Sequence, residues 1–337
     1  MFSKIYNRIY NAFIWRWNIY FWHPVNRILN DYKVKQQEED ALTILNGIMA
    51  RQPVSEIRKK IKRAVSNELN AVLRKVEQTG YITNLSEIEL PVKISIVIPH
   101  YNHTHLIGET LESLCSQTVK PFEIIVVDDV SKDVEALEKL ITDYLPQLNI
   151  ILIKSTEKLY TGKARQTGAE MATGNLIMVT DADDPFHPQA LEFAEHFFSN
   201  NKTAVALIPG RWEFCGQFNF DAIQHFNSSE LLNNIIKPEK LIEQVTDIFR
   251  FQLFSKKLGN GVYRGGSFGG GSLFYRKEIV NTIKWSSPKE LIENSFTDWE
   301  DYEFSLMLFL LSQQVYRCNL PIVSWRRDST TNKVWWN

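Results

Sequence analysis

Between Lys93 and Thr180 the chain repeats one pattern: a short apolar, β-branched run, then a longer stretch with apolar positions at helical spacing. The runs are Ile94–Ile98, Glu123–Val127, Asn149–Ile153 and Leu176–Thr180; the stretches cover about 104–117, 133–144 and 162–173. A run of this kind has no polar face, so both sides of its sheet must be covered, and helices between successive strands supply that cover. The pattern therefore predicts βαβ units and a mostly parallel sheet. Ligands of such sheets bind beyond the carboxyl ends of the strands. Polar residues stand at three of those ends: Pro99-His100-Tyr101-Asn102, Asp128 to Asp133, and Asp181-Ala182-Asp183-Asp184.

The same positions exclude some chemistries. The first loop holds no G-x-G-x-x-G and the chain no G-x-x-x-x-G-K-[ST], which disfavours a dinucleotide site and a P-loop. Cys115, Cys215 and Cys318 are far apart and form no C-x-x-C pair, against a cysteine-rich zinc site or a disulfide framework, and for a reducing, cytoplasmic setting. The formal net charge is −1, so no global field recruits nucleic acid. At 44% hydrophobic and 23% charged residues over 337 positions, the composition suits one catalytic-size domain with an appendage. No uncharged apolar stretch reaches the roughly 18–20 residues of a membrane span. The nearest, Phe304 to Tyr316, contains Ser312, Gln313 and Gln314. The N-terminus lacks a clean apolar core and a small-residue cleavage site, so no cleavable signal peptide is expected.

Taken alone, Asp128-Asp129 reads as a turn with a helix N-cap. Asp181 to Asp184 is different. Three carboxylates in four residues repel one another unless a cation gathers them, and Asp oxygens suit Mg²⁺ or Mn²⁺.

Residues 1–92 are expected to form a helical extension and 93–337 the catalytic domain. Segment 1–93 carries a local charge of +6 and the remainder −7. Residues 1–30 hold Lys4, Arg8, Arg16 and Arg27 and no acid, and nine aromatics fall within the first 22 positions. A basic helix with an aromatic face suits a membrane interface, which allows peripheral contact through residues 1–22. The same face also suits docking on protein. Further on, Val54, Ile57, Ile61, Val65, Leu69, Val72, Leu73 and Val76 make one apolar stripe that Gly80 ends. The basic run Arg58 to Arg63 reads as a solvated helix face.

Ile96–Asn102 (IVIPHYN) with Leu111–Thr118, Ile125–Ser131 (IVVDDVS), Gly162–Gly168 (GKARQTG) with Ala172-Thr173-Gly174, and Asp181-Ala182-Asp183 resemble, in order and spacing, the blocks of the family 2 glycosyltransferases. The resemblance covers about residues 93–330. It implies a GT-A nucleotide-diphospho-sugar transferase fold and non-processive, inverting transfer of a sugar, with UDP as the expected nucleotide. It further implies that Asp183 ligates a divalent cation, Mn²⁺ or Mg²⁺, and that Asp181 holds the ribose or the metal shell. Asp129 would meet the base, with Pro99, Tyr101 and Asn102 lining the same pocket. Lys163 and Arg165, on or before a helix start, are placed to meet the diphosphate, or else are helix-surface charges.

An acceptor hydroxyl needs a general base, which is expected from the far half of the chain. Family 2 enzymes carry an acidic pair where this chain has Glu300-Asp301, and the resemblance makes Asp301 the base with Glu300 beside it. Clustering of Asp298, Glu300, Asp301 and Glu303 is expected to raise a carboxyl pKa by like-charge repulsion. An acidic helix N-terminus complementing the dipole is the plainer reading. Gly259 to Gly271 holds seven glycines in 13 residues, which points to a mobile loop or a backbone passing close to substrate, with Arg264 within reach of a phosphate. The stretch Val323–Ser329 lacks the histidine that many relatives use as a further metal ligand, leaving Asp328 or water. The Q-x-x-R-W signature of processive relatives is also absent. The expected acceptor is a surface glycan or a lipid-linked precursor. The alternatives are a sugar-phosphate nucleotidyltransferase, which the absence of a Gly-rich basic first loop disfavours, and a non-catalytic membrane-associated scaffold.

Overall fold

The computed structural model describes residues 39–61, 65, 67–219, 226, 230, 233–238, 241, 271–294 and 300–328. The aromatic segment 1–30, Lys62, Arg63, Arg264 and the rest of the glycine-rich stretch before Gly271, and Asp298 lie outside these residues.

The four apolar runs are strands β1 (Ile94–His100), β2 (Glu123–Asp128), β3 (Ile150–Lys154) and β4 (Leu176–Val179). They join β5 (Ala206–Phe214), β6 (Ile235–Ile236), β7 (Leu273–Arg276) and β8 (Val315–Arg326) in one sheet ordered β3-β2-β1-β4-β7-β5-β8-β6. The pairs β1/β2, β2/β3, β1/β4 and β5/β8 are parallel; β7 runs antiparallel between β4 and β5. Alternation along the strands divides the core between two faces. Ile96, Ile98, Ile124, Val126 and Met178 point to one side, where α4 (Thr104–Cys115), α5 (Val134–Tyr144) and α7 (Ala190–Asn200) pack. Val97, Ile125, Val127, Ile177 and Val179 point to the other, under α6 (Tyr160–Met171) and α9 (Glu300–Ser312).

Close approach of α6 to the sheet depends on glycine. A Cβ on Gly168 would lie 2.4 Å from Val97 Cγ1, and one on Gly162 would lie 2.1 Å from the Ser286 carbonyl oxygen, just ahead of α8 (Pro288–Asn294). Gly168 thus seats α6 against β1 and β2, and Gly162 lets its first turn approach Ser286 and Glu300.

The stripe expected over 54–76 is helical in two pieces, α2 (Val54–Lys60) and α3 (Asn67–Thr79), separated where Ile61 turns to extended backbone. A further helix, α1, precedes them at 39–49. Gly80 ends α3 with φ +75°. Ile44, Ile48, Val54, Ile57, Leu69, Val72, Leu73 and Val76 are buried in the same core cluster as Leu306 to Leu311 of α9. Among the described residues the change of pattern near residue 92 is therefore not a break in the core. The described members of the basic run lie on an exposed face: Lys59 pairs with Glu56, Lys60 with Gln52 and Arg58 with Asn70.

The run Phe304 to Leu311 is buried on every side, because α9 lies between the sheet and the N-terminal helices. No helix among the described residues is long and apolar enough to cross a membrane.

Candidate active site

The ends of β1 and β2 are tied by hydrogen bonds that occupy several of the expected site residues. Asp128 accepts from Ser131 N–H and lies 2.9 Å from His100 Nδ1 through its other oxygen. Asn102, at φ 55°, donates its N–H to Ser131 Oγ and accepts from Lys132 N–H at Oδ1. Asn102 and Asp128 thus shape the loops, which leaves Pro99 half-buried beneath them and Tyr101 exposed.

Asp129 is buried, and its carboxylate accepts the N–H groups of Leu159 and Tyr160. The N-cap of α6 is Leu159 and that of α5 is Asp133, so neither member of the Asp pair is an N-cap; Asp129 meets the start of α6 from the end of β2. Lys158 Nζ lies 2.8 Å from Asp129 Oδ2 and 2.9 Å from the centroid of the Tyr101 ring. Sequence reasoning missed Lys158. It stands after β3, the one parallel strand end that was not searched.

α6 carries the site from this pocket to the acids. Arg165 lies more than one helical turn inside α6, not at its start, and only 2% of its side chain is exposed. Its Nη2 donates to Asp181 Oδ1 at 2.6 Å and its Nη1 to Glu300 Oε1 at 2.9 Å. Arg165 thus bridges two carboxylates, Asp181 and Glu300. Lys163 points to the other side of α6. It is half-exposed, 3.7 Å from Glu157, and lines a cavity of about 590 Å³ with Lys158, Tyr160, Ser287 and Lys289. It is not brought to Asp181.

Burial pushes the Glu300 carboxyl up to about 7; Arg165 opposes the rise, and the charges of Asp301 and Asp181 add to it. Asp301 is likewise raised, first by burial and then by Asp181, against the pull of Arg165, the Tyr302 N–H and Arg211. Like-charge repulsion was expected as the cause; loss of water is the larger one. Glu303 faces away, into an ion pair with Lys75. Burial alone would lower Arg165, but Asp181, Glu300 and Asp301 outweigh it and hold the guanidinium firmly charged.

Asp181, Asp183 and Asp184 follow β4. Asp183 and Asp184 are buried, and Asp184 is raised well above a usual carboxyl by burial and by its two neighbours. Its Oδ1 accepts from Arg326 N–H at 2.9 Å, while Arg326 Nε reaches the Asp183 carbonyl at 3.3 Å. The end of β8 does return to the acids, and the residue it presents is Arg326. Asp328 instead accepts from Gly216 N–H at 2.8 Å. Arg211 on β5 acts on both Asp184 and Asp301. Gly271, the described end of the glycine-rich stretch, passes so close that a Cβ there would lie 2.5 Å from Asp181 Oδ2 and 2.7 Å from Arg165 Nη2.

Among the described residues no group of three or more His, Cys, Asp or Glu is arranged to hold a metal ion. Mg²⁺ and its like are commonly held by one or two carboxylates together with substrate phosphates. The crowding of Asp181, Asp183 and Asp184 fits a cation completed by a diphosphate, and not a cage made by protein alone.

This mixed, mostly parallel sheet with acids at a central strand end and a second acidic pair on a helix from the C-terminal half has the GT-A nucleotide-diphospho-sugar transferase fold. The chain belongs to glycosyl transferase family 2, whose profile matches residues 95–262. It is 37% identical over 102 residues to the amylovoran biosynthesis glycosyltransferase AmsB of Erwinia amylovora, covering 30% of this chain and 34% of that protein. It is 26% identical over 233 residues to the chondroitin synthase of Escherichia coli, covering 64% and 32%. The chain thus spans about a third of the length of these relatives. The crystal structure of S. aureus TarS 1–349 in complex with UDP-GlcNAc superposes with a TM-score of 0.50 at 17% identity, covering 70% of this chain and 59% of that one.

Proposed function

We propose that this protein is an inverting, non-processive glycosyltransferase that moves a sugar from a nucleotide-diphosphate donor, a UDP-sugar, to a hydroxyl of a glycan or lipid-linked acceptor in surface polysaccharide biosynthesis. The observation that carries the reading is the Arg165 bridge, which joins Asp181 at the end of β4 to Glu300 at the start of α9. Donor-side and acceptor-side acids thereby share one site. The names of the relatives, an amylovoran glycosyltransferase and a chondroitin synthase, support the polysaccharide class, and the UDP-GlcNAc complex of TarS supports the donor class.

Asp301 takes the proton of the acceptor hydroxyl. The oxygen attacks the anomeric carbon, the bond from that carbon to the diphosphate oxygen breaks, and the configuration inverts. Arg165 holds Glu300 beside the base and keeps Asp181 turned toward the same point. A divalent cation held by Asp183 with Asp181 would neutralise charge on the leaving diphosphate. Asp129, Tyr101 and Lys158 form the pocket wall offered to the base of the nucleotide.

The test is UDP release from a panel of nucleotide sugars, with and without Mn²⁺, for the wild type and Asp301→Asn. Loss of a general base is expected to cut turnover about 10²–10⁴-fold, with the affinity for UDP kept. Undiminished turnover in Asp301→Asn removes that residue from its role. Absence of both UDP binding and UDP release in the wild type removes the enzymatic reading.

A further inference from the structure

Helix α9 has no polar face beyond its first turn: Phe304 to Leu311 is apolar apart from Ser305, and every one of these residues is buried. Hydrophobic burial tells an amphipathic helix which way to turn, since only one stripe belongs inside. For α9 that signal is absent. Rotation about its axis and sliding along it must be set by polar contacts, and the described ones come largely from the N-terminal helices.

At the C-terminal end of α9 the last carbonyls have no partner within the helix. Arg51 Nη2 donates to the Ser312 carbonyl at 3.1 Å, and Ile82 N–H to the Leu311 carbonyl at 3.0 Å. Gln313, just past the helix, donates back to the Met49 carbonyl at 3.0 Å. At the other end Glu303 is 2% exposed, and the transfer reaction has no use for it. Lys75 of α3 lies 2.7 Å from Glu303 Oε1, and Ser286 Oγ donates to Oε2. A buried carboxylate is costly unless it is paired, so this contact holds one helical rotation against the others. Glu303 is two residues from Asp301 and three from Glu300, within the same turn.

We infer that residues 39–82 clamp α9 at both ends, and that Lys75 is a positioning residue that sets the angle at which Glu300 and Asp301 enter the site. The inference rests on the reading of that pair as the acceptor-side acids. The helical segment is on this account a working part of the transferase and not an appendage.

The experiment uses the full chain as wild type, Lys75→Met, Lys75→Arg and the double variant Lys75→Met/Glu303→Gln, which removes both charges so that no lone carboxylate is left in the core. Hydrogen exchange at amides 302–306 reads the placement of α9. Calorimetry with UDP reads the nucleotide site, and kcat and KM read the reaction. In Lys75→Met and in the double variant, exchange at 302–306 is expected to quicken about tenfold and kcat to fall about tenfold or more, with UDP affinity and donor KM within about twofold of wild type. Lys75→Arg is expected to restore both. If Lys75→Met does not fold, the double variant decides. Unchanged exchange, or faster exchange with an unchanged kcat, overturns the positioning role. A fall in UDP affinity matching the fall in kcat overturns it too, since general destabilisation then accounts for both. A wild type that releases no UDP from any donor overturns the functional reading instead, and the exchange comparison then decides the clamp by itself.

Discussion

Arg165 joins two carboxylates, Asp181 and Glu300, that lie more than a hundred residues apart in the chain. Its guanidinium, fully enclosed, faces Asp181, Glu300 and Asp301, and the fork geometry serves two carboxylates at once. Arg165→Met keeps the stem and removes the charge. Breaking a buried pair from one side costs about 3–5 kcal/mol, so denaturant unfolding of this variant should report a loss of that size together with a collapse in turnover. The raised acid pair sets the response to pH. A base must be ionised to accept a proton, and burial moves these carboxyls upward, Glu300 to about 7. Activity should therefore fall on the acid side with a midpoint above the ordinary carboxylate value of about 4. A kcat/KM profile whose acid limb lies at that ordinary value contradicts the assignment. For Asp129 the family resemblance implied a contact with the nucleotide base, but its carboxylate accepts two backbone N–H groups and pairs with Lys158, so a contact with a base would be made beside these bonds and not in place of them.

At the scale of elements, α6 does the most. Its N-terminus is met by Asp129, its first turn abuts Glu300 through Gly162, its second turn carries Arg165, and its far half rests on β1 and β2 through Gly168. The end of β2 at Asp129 and the acid pair are registered to each other because one helix touches both. Gly168→Ala places a methyl 2.4 Å from Val97 Cγ1. Overpacking of this kind costs about 1–3 kcal/mol, and lifting α6 from the sheet should also move Arg165. Thermal unfolding and kcat of Gly168→Ala are expected to fall together; a stable variant of reduced activity or an active variant of reduced stability would separate the two roles. The strands and helices from β1 to β4 were legible because a strand buried on both faces reads as an unbroken apolar run and a helix covering it as a period of 3.6. The orientation of α9 was not legible, because its residues from Phe304 to Leu311 are buried on every side and no period exists to read.

On the scale of the whole molecule, the N-terminal helices and the transferase fold share a core. Ile57 of α2 is fully buried in the cluster that holds Leu306 to Leu311. Ile57→Ala should therefore destabilise the entire chain by about 2–5 kcal/mol, and unfolding followed by tryptophan fluorescence and by far-ultraviolet circular dichroism should keep a single shared midpoint. An early, separate loss of helix would mean that the segment unfolds alone.

Local pattern and motif order by themselves determined the parallel half of the sheet, the family, the acids after β4 and the acidic pair at Glu300 and Asp301, because each depends on residues close together in the chain. Only the folded molecule decided which groups meet across it. Arg165 finds Asp181 and Glu300, Lys75 finds Glu303, Arg326 finds Asp184, and Lys158 covers Tyr101. Several of these contacts join positions more than a hundred residues apart, and a charged side chain carries no mark of its partner until packing removes the water that would otherwise have answered it.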